Sequence, residues 1–419
     1  MEVLMIFPSL DRVKAIAPGY DIVPVYMEIL SDVRTPISVL KALKQVSSHT
    51  YLLESADNSN HWGRYSFLGY DPKLELFCKN HTMTIKDGTT RTFECSDPAA
   101  EIRNILSQYK SPRLEELPTF TGGFVGYFAC EYIRYIEPTL DFPTPDDDSA
   151  MVNDVDLMLF DKVIAFDHYK NKIYLIANIS TNDLERNYNK AELELKALAD
   201  LVVNGKEANI PKGILKTEFT SEFTKDEFEA VVKKTQHYIK EGDIFQCVVS
   251  NRREAEFDGS LLNAYRVLRT LNPSPYMFYL SGGDVELTGA SPETLVKLTD
   301  GKMYTFPIAG TMRRGKNEAE DLAIEEKLIN DEKELAEHNM LVDLGRNDLG
   351  KISKFGSVKV SDLSNSLNVT KETIRSDLNE LARLGYLTRY HGGAFIVLDS
   401  LDTIAKNEIA YALENYDTA

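Results

Sequence analysis

Between about Val23 and Ala177 the apolar positions fall in short runs that alternate with polar ones, as in Thr82-Met83-Thr84-Ile85-Lys86 and Lys172-Ile173-Tyr174-Leu175-Ile176. A period of two is what a strand with one face on a core requires. Turn formers such as Asp87-Gly88 separate the runs, so the pattern predicts antiparallel sheet. From Asp183 to Val203 the spacing of Leu184, Leu193, Leu195, Leu198 and Leu201 among charges becomes helical, and Asn204 to Thr217 follows as a polar connector. A domain boundary is expected near 205–220. Thr224 stands three residues before Glu227, the capping-box spacing, which predicts a helix to Glu241 that Gly242-Asp243 stops ahead of a strand over Ile244 to Arg252. Glu318 to Leu344 is rich in helix formers without Gly or Pro and predicts one long helix. Past Val360 the texture changes. Val358–Leu367, Lys371–Leu384 and Leu387–Val397 read as helix, helix and hairpin, with Thr370 capping the second helix and Gly385 ending it.

At 419 residues the chain exceeds what one hydrophobic core usually supports, and its 43% hydrophobic content is ample for folded cores. Asp plus Glu outnumber Lys plus Arg by 65 to 47, and the resulting charge of -18 opposes broad attraction to phosphate backbones. Met1 to Tyr20 carries Glu2 and Asp11 and lacks the basic start and apolar run of a secretory signal. No stretch approaches the ~18 to 20 apolar residues of a membrane span, so a cytoplasmic protein is expected. Cys78, Cys95, Cys130 and Cys247 are scattered without metal-ligand spacing and read as free thiols.

Three stretches carry candidate chemistry. In Thr288 to Val296, Glu293 follows Ser291-Pro292, so its carboxyl is presented from a backbone that Pro stiffens; the same triplet also suits the first turn of a helix. In Phe306 to Gly315, Gly310-Thr311 can bring backbone amides close to an anion, or form an ordinary hairpin turn. In Asp331 to Asp348, Glu334 and Glu337 are three apart on a predicted helix and share a face. Two carboxylates suit Mg²⁺, although a solvated acidic face with Glu334 beside His338 has the same spacing.

Taken together, these stretches resemble the chorismate-utilising enzymes, and most closely the anthranilate synthase component I family. The resemblance implies an α+β fold of antiparallel sheets with helices on the outside. It implies amination of chorismate with loss of pyruvate, using ammonia from a glutamine amidotransferase subunit (component II). Chorismate is a dicarboxylate whose ring hydroxyl must leave, so its site needs a metal or cations and an acid. By resemblance Glu293 is the catalytic acid, Gly310 and Thr311 contact the substrate, and Glu337 with Glu334 beside it holds Mg²⁺. Gln246 stands where isochorismate and salicylate synthases typically carry a Lys that activates water. Ala309 stands where aminodeoxychorismate synthase component I, the alternative within the family, commonly has a nucleophilic Lys. Both positions point to amination by free ammonia. Glu54 and Ser55 in Tyr51 to Ser55, with Pro275, Tyr276 and Met277 in Asn272 to Phe278, resemble the two segments of a tryptophan feedback site, which implies L-tryptophan as inhibitor; strand and core packing account for the same residues.

The match breaks near Val360, and the second acidic Mg²⁺ motif expected beyond it is missing, so impaired turnover is expected. Val358 to Leu381 instead resembles the winged helix-turn-helix of DeoR-type repressors, with Gly385 to Ala394 as turn and wing. That resemblance implies DNA contacts from Thr370, Lys371, Thr373, Arg375 and Ser376. Ser361 to Phe395 carries as many acidic as basic residues, so any such affinity is expected to be weak. A helical cap is the plainer reading. The expected organisation is an N-terminal domain over 1–210, an incomplete chorismate-binding domain over 220–357, a helix-turn-helix segment over 358–397 and a tail over 398–419. The alternative from another class is a DNA-binding regulator carrying an inactive chorismate-enzyme fragment.

Overall fold

The computed structural model describes residues 5–55, 63–137, 139, 152–283 and 285–358, and the backbone of 387–390 and 393–396. Apart from Val358, the expected helices over 358–384, all five candidate DNA contacts and the tail lie outside these residues. Two compact units, Met1–Pro292 and Glu293–Ala419, make up the chain.

In the first unit, helix α1 (Leu10–Ile16) precedes strand β1 (Ile22–Leu30), helix α2 (Pro36–Leu43) and strands β2 (Thr50–Glu54) and β3 (Tyr65–Tyr70). Strands β4 (Leu74–Lys79), β5 (Thr82–Lys86) and β6 (Thr90–Glu94), helix α3 (Pro98–Leu106), strand β7 (Gly123–Phe128) and the short helix α4 (Ile133–Ile136) follow. Then come β8 (Val155–Phe160), β9 (Lys162–Asp167), β10 (Lys172–Ser180) and helix α5 (Leu184–Asn204). The two-residue strands β11 (Ile214–Leu215) and β12 (Thr220–Ser221) pair antiparallel with β14 (Phe257–Asp258) and β13 (Arg253–Glu254), around helix α6 (Lys225–Glu241). Helix α7 (Leu262–Leu271) and the hairpin β15 (Tyr276–Gly282) and β16 (Val285–Ser291) complete the unit.

Seven strands form one sheet in the order β1-β10-β9-β3-β2-β15-β16, and five form a second in the order β6-β5-β4-β8-β7. Every neighbouring pair in both is antiparallel, as the alternating runs predict. Strands β1, β9 and β10 of the large sheet are buried on both faces, which is why β10 reads as an almost unbroken apolar run. Ile173, Leu175, Ala177 and Ile179 join a core with Leu40 of α2, Leu195 and Leu198 of α5 and Tyr265 of α7, while Tyr174 and Ile176 join Leu114, Leu117 and Val163 on the other face. The hairpin over 276–291 belongs to this sheet, because β15 pairs with β2 in a register that sets Met277 opposite Glu54 and Tyr279 opposite Leu52.

Helix α6 starts as predicted. Thr224 accepts a hydrogen bond from the Glu227 N–H, Glu227 reaches back to the Thr224 N–H, and Gly242 ends the helix in the left-handed region at φ 83°. The strand expected over Ile244 to Arg252 does not form: only Arg253–Glu254 is paired. Phe245 and Val248 in this stretch are 84% and 87% exposed, so its alternation finds no sheet edge to join.

In the second unit β17 (Lys297–Thr299) and β18 (Lys302–Tyr304) make a hairpin, followed by helices α8 (Glu318–Ile329) and α9 (Glu332–Ile352). The single long helix expected over 318–344 is therefore two. Asn330 caps the end of α8 and Asp331 caps the start of α9, its carboxylate accepting from the N–H groups of Lys333 and Glu334. An Asp with two such bonds prefers a helix start to a helix interior. Strands β19 (Leu387–Tyr390) and β20 (Gly393–Ile396) pair antiparallel where a hairpin is expected.

Candidate active site

The new start at Asp331 puts Glu334 in the first turn of α9 and Glu337 one turn on. Both face the same side and both are half-buried. The loop that carries Gly310 passes close to Glu334. Gly310 has φ 80°, a left-handed conformation that favours glycine, and a side-chain carbon there would lie 3.0 Å from Glu334 Oε2 and 3.1 Å from Leu328 Cδ1, so that any larger residue would also need these side chains to give way. Further along α9, Gly345 lets the helix approach Thr305 and Pro307, where an added carbon would come within 2.9 Å of Thr305 Cγ2. At the far end of the loop the Gly315 N–H donates to Asp321 Oδ1 at 2.7 Å, and Arg314 pairs with the same carboxylate.

The structure thus brings Gly310, Thr311 beside it, and Glu334 into one neighbourhood with Glu337 on the adjacent turn. Glu293 is exposed, following Pro292 at the end of β16. Gln246 belongs to the first unit and is exposed in the irregular stretch after α6. Among the described residues no group of three or more His, Cys, Asp and Glu converges as a metal site. A divalent ion would then take one or two carboxylates from the protein and the rest of its shell from water or substrate, which is how Mg²⁺ usually binds. Glu334 and Glu337 fit that donor set.

The candidate amino-acid site lies in the first unit. Met277 is buried in the core against the sheet, whereas Ser55, Pro275 and Tyr276 are half-buried. Glu54 is already engaged. Arg269 Nε lies 2.7 Å from its Oε2 and Arg269 Nη2 donates to Oε1 at 2.9 Å. Tyr265 OH donates to Oε2 at 2.8 Å and Ser66 Oγ to Oε1 at 3.5 Å. Burial, and then the charge of Glu54, push the Tyr265 phenol well above its ordinary pKa.

A second network was not anticipated from the sequence. Lys44, at the end of α2, donates to Tyr279 OH at 2.9 Å, Ser281 Oγ at 3.1 Å and Glu286 Oε1 at 3.2 Å. Tyr279 OH, Ser260 Oγ and the Leu261 N–H also donate to Glu286. Burial works to raise the Glu286 pKa but is outweighed by the bonds from Tyr279 and Leu261 and by the charge of Lys44, so the carboxyl titrates below its usual range. The partners are more than 200 residues apart in sequence on the Lys44 side, and no spacing rule finds such a pair.

A fold of antiparallel sheets flanked by helices, with a glycine loop laid against a helical carboxylate, defines a class that comparison with known proteins makes explicit. Residues 49–371 match the profile of the chorismate binding enzyme family. The chain belongs to that family. Its relatives within it are anthranilate synthase component 1 proteins: that of Acetivibrio thermocellus is 40% identical over 369 residues, covering 86% of this chain and 74% of the relative. That of Aquifex aeolicus is 40% identical over 362 residues, covering 84% of this chain and 72% of the relative. Among solved structures, anthranilate synthase component I from Streptococcus pneumoniae superposes with a TM-score of 0.54 at 31% identity, over 77% of this chain and 68% of that one. The menaquinone-specific isochorismate synthase of Escherichia coli, at 15% identity and a TM-score of 0.50 over 81% of this chain and 68% of that one, shares the fold. Residues 349–399 match the DeoR-like helix-turn-helix domain, overlapping the end of the first match.

All four cysteines are free, with Cys78 and Cys95 buried. Among the described residues no helix is long and apolar enough to cross a membrane.

Proposed function

We propose that this chain acts on chorismate as an anthranilate synthase component I does, carrying chorismate and ammonia towards anthranilate and pyruvate in tryptophan biosynthesis, in the cytoplasm. The observation that carries the reading is the family match across 49–371, which spans Gln246, Glu293, Gly310, Thr311, Glu334 and Glu337 together. In this reading Glu293 protonates the departing ring hydroxyl, and the amides around Gly310 and Thr311 bind the substrate's carboxylate or ring. Glu337, with Glu334, would hold Mg²⁺, which when bound supplies positive charge for the substrate's carboxylate. Gln246 leaves no Lys to activate water and Ala309 no amine to attack the ring, so the nucleophile is ammonia delivered by an amidotransferase subunit. Ser55, Pro275, Tyr276 and Met277, with Glu54 behind them, form the L-tryptophan feedback site.

Turnover by this chain alone is proposed to be low. Catalysis needs the acid, the metal and the substrate clamp in one geometry, and removing part of such a unit removes most of the rate. None of α6, α8 and α9 contains a buried residue. Calorimetric titration with chorismate and Mg²⁺ tests the site: Glu337→Ala should weaken binding, and equal affinity in wild type and variant would remove Glu337 from it.

A second reading is favoured by the DeoR-like match over 349–399. In it the C-terminal segment contacts DNA through Thr370, Lys371, Thr373, Arg375 and Ser376. A gel-shift titration at low salt should show retarded DNA, and no shift at tens of micromolar protein would overturn it, since non-specific constants are about 10⁻⁴ to 10⁻⁶ M.

A further inference from the structure

A carboxylate has about four acceptor positions, two on each oxygen. Three of those of Glu54 are taken, Oε1 by Arg269 Nη2 and Oε2 by Arg269 Nε and Tyr265, while Ser66 Oγ lies 3.5 Å from Oε1 and 2.8 Å from His168 Nε2. Its side chain is 7% exposed. The Arg269 contact is the two-pronged kind that fixes geometry as well as adding energy. Tyr265 and Arg269 stand four apart on α7 and so share a face, with the guanidinium carbon 5.9 Å from the centre of the tyrosine ring. The buried carboxylate of Glu54 is therefore committed to Arg269 and Tyr265, and little of it is open to an incoming ammonium.

The elements it joins are the two that frame the proposed feedback site. Glu54 is the last residue of β2, immediately before Ser55. Helix α7 ends at Leu271, and the Asn272 N–H closes its last turn on Leu268. The chain then makes a tight turn in which Ser274 donates to the Asn272 carbonyl at 3.2 Å, and enters β15 at Tyr276. The pairing of β15 with β2 sets Met277 opposite Glu54, and the contact of α7 with the end of β2 adds the placement of the turn over 272–275 beside Ser55.

We propose that Glu54, Arg269 and Tyr265 form a clasp that positions the two walls of the amino-acid site, and that Glu54 does not itself receive the ligand's ammonium. This rests on the feedback reading above. Arg269 and Tyr265 are positioning residues, and the ammonium is received by other acceptors at the mouth of the site, such as the Ser55 hydroxyl.

The sign of the effect of Arg269 tests this. If Glu54 were a direct ligand contact, Arg269→Met would free its carboxylate and tighten L-tryptophan binding. The clasp predicts the opposite. Calorimetry with the full chain should give about tenfold weaker binding for Arg269→Met. Arg269→Lys, which keeps the charge but loses the fork, should fall between this variant and wild type. Glu54→Gln with Arg269→Met should bind no more weakly than Arg269→Met alone, because the two side chains act as one unit. Tighter binding in Arg269→Met, or losses that multiply in the double variant, would overturn the proposal.

Should the wild type show no heat with millimolar L-tryptophan, the feedback reading fails and the clasp is judged without ligand. Hydrogen exchange at the amides of residues 270–277 should then accelerate several-fold in Arg269→Lys while β1 and β10 stay unchanged. Unchanged exchange at 270–277 would overturn it.

Discussion

The seven-stranded sheet and the segments that carry the chorismate motifs are built on opposite terms. In the sheet, β1, β9 and β10 are buried on both faces, and helices α2, α5 and α7 each add apolar side chains to one core. In the motif segments, α6, α8 and α9 have no buried residue, and Phe245, Leu295 and Phe355 are 84%, 91% and 82% exposed. Helices of this length draw most of their stability from an apolar face packed on something else. The difference separates two properties that a family match joins: the residue types of the proposed active site are present, while the dense packing that holds side chains to a fraction of an ångström is found in the other region.

The largest expected contrast is in stability. Tyr279→Ala removes a fully buried aromatic ring from the sheet core and should cost about 3 to 5 kcal/mol in denaturant unfolding. Leu344→Ala on α9, where the side chain is 54% exposed, should stay within about 0.5 kcal/mol. Equal costs would erase the distinction between the regions.

A smaller contrast lies in pH. Asp167 at the end of β9 is fully buried and receives Arg64 Nε at 3.1 Å, Arg64 Nη2 at 2.7 Å and the N–H groups of Tyr169 and Lys170. Burial opposes its charge but is outweighed by the Arg64 bonds and then by the Lys170 N–H, so its pKa falls below the usual 3.8. Glu286 is depressed below 4.5 in the same sense. A carboxyl with a lowered folded pKa contributes stability that is complete above its unfolded pKa and is lost as pH falls through the folded one. The sheet should therefore keep its stability down to about pH 4.5 and lose it below. Asp167→Asn and Glu286→Gln should each flatten that acid limb, measured as unfolding free energy between pH 6 and 2. An unchanged limb in both variants would place the acid sensitivity elsewhere.

Local pattern was legible where local physics decides it. The alternation of β5 and β10, the capping box at Thr224 and Glu227 and the helix over 184–204 all depend on neighbours within a few residues. The break at Asn330-Asp331 carried a local signal too, an Asp three residues before Glu334, but the absence of Gly and Pro concealed it. The strand expected over 244–252 failed for a different reason: alternation describes a side chain's need for a face, and a strand also needs a partner edge. Least legible were the pairs that join distant chain. Arg269 meets Glu54 across 215 positions, and Lys44 meets Glu286 across 242, so spacing gave no hint of either. Glu54 was readable as a polar residue near a candidate ligand, while its commitment to Arg269 belongs to the tertiary fold alone. Of the candidate site, the adjacency of Gly310 and Glu334 was implied by neither residue's own spacing and comes from the loop crossing α9.

Whether the motifs can work without that packing is read from the purified 419-residue chain, incubated with chorismate, ammonium and Mg²⁺ while anthranilate fluorescence is followed. Little or no anthranilate is expected above a no-protein control. Robust anthranilate formation that Glu293→Gln abolishes would contradict that expectation.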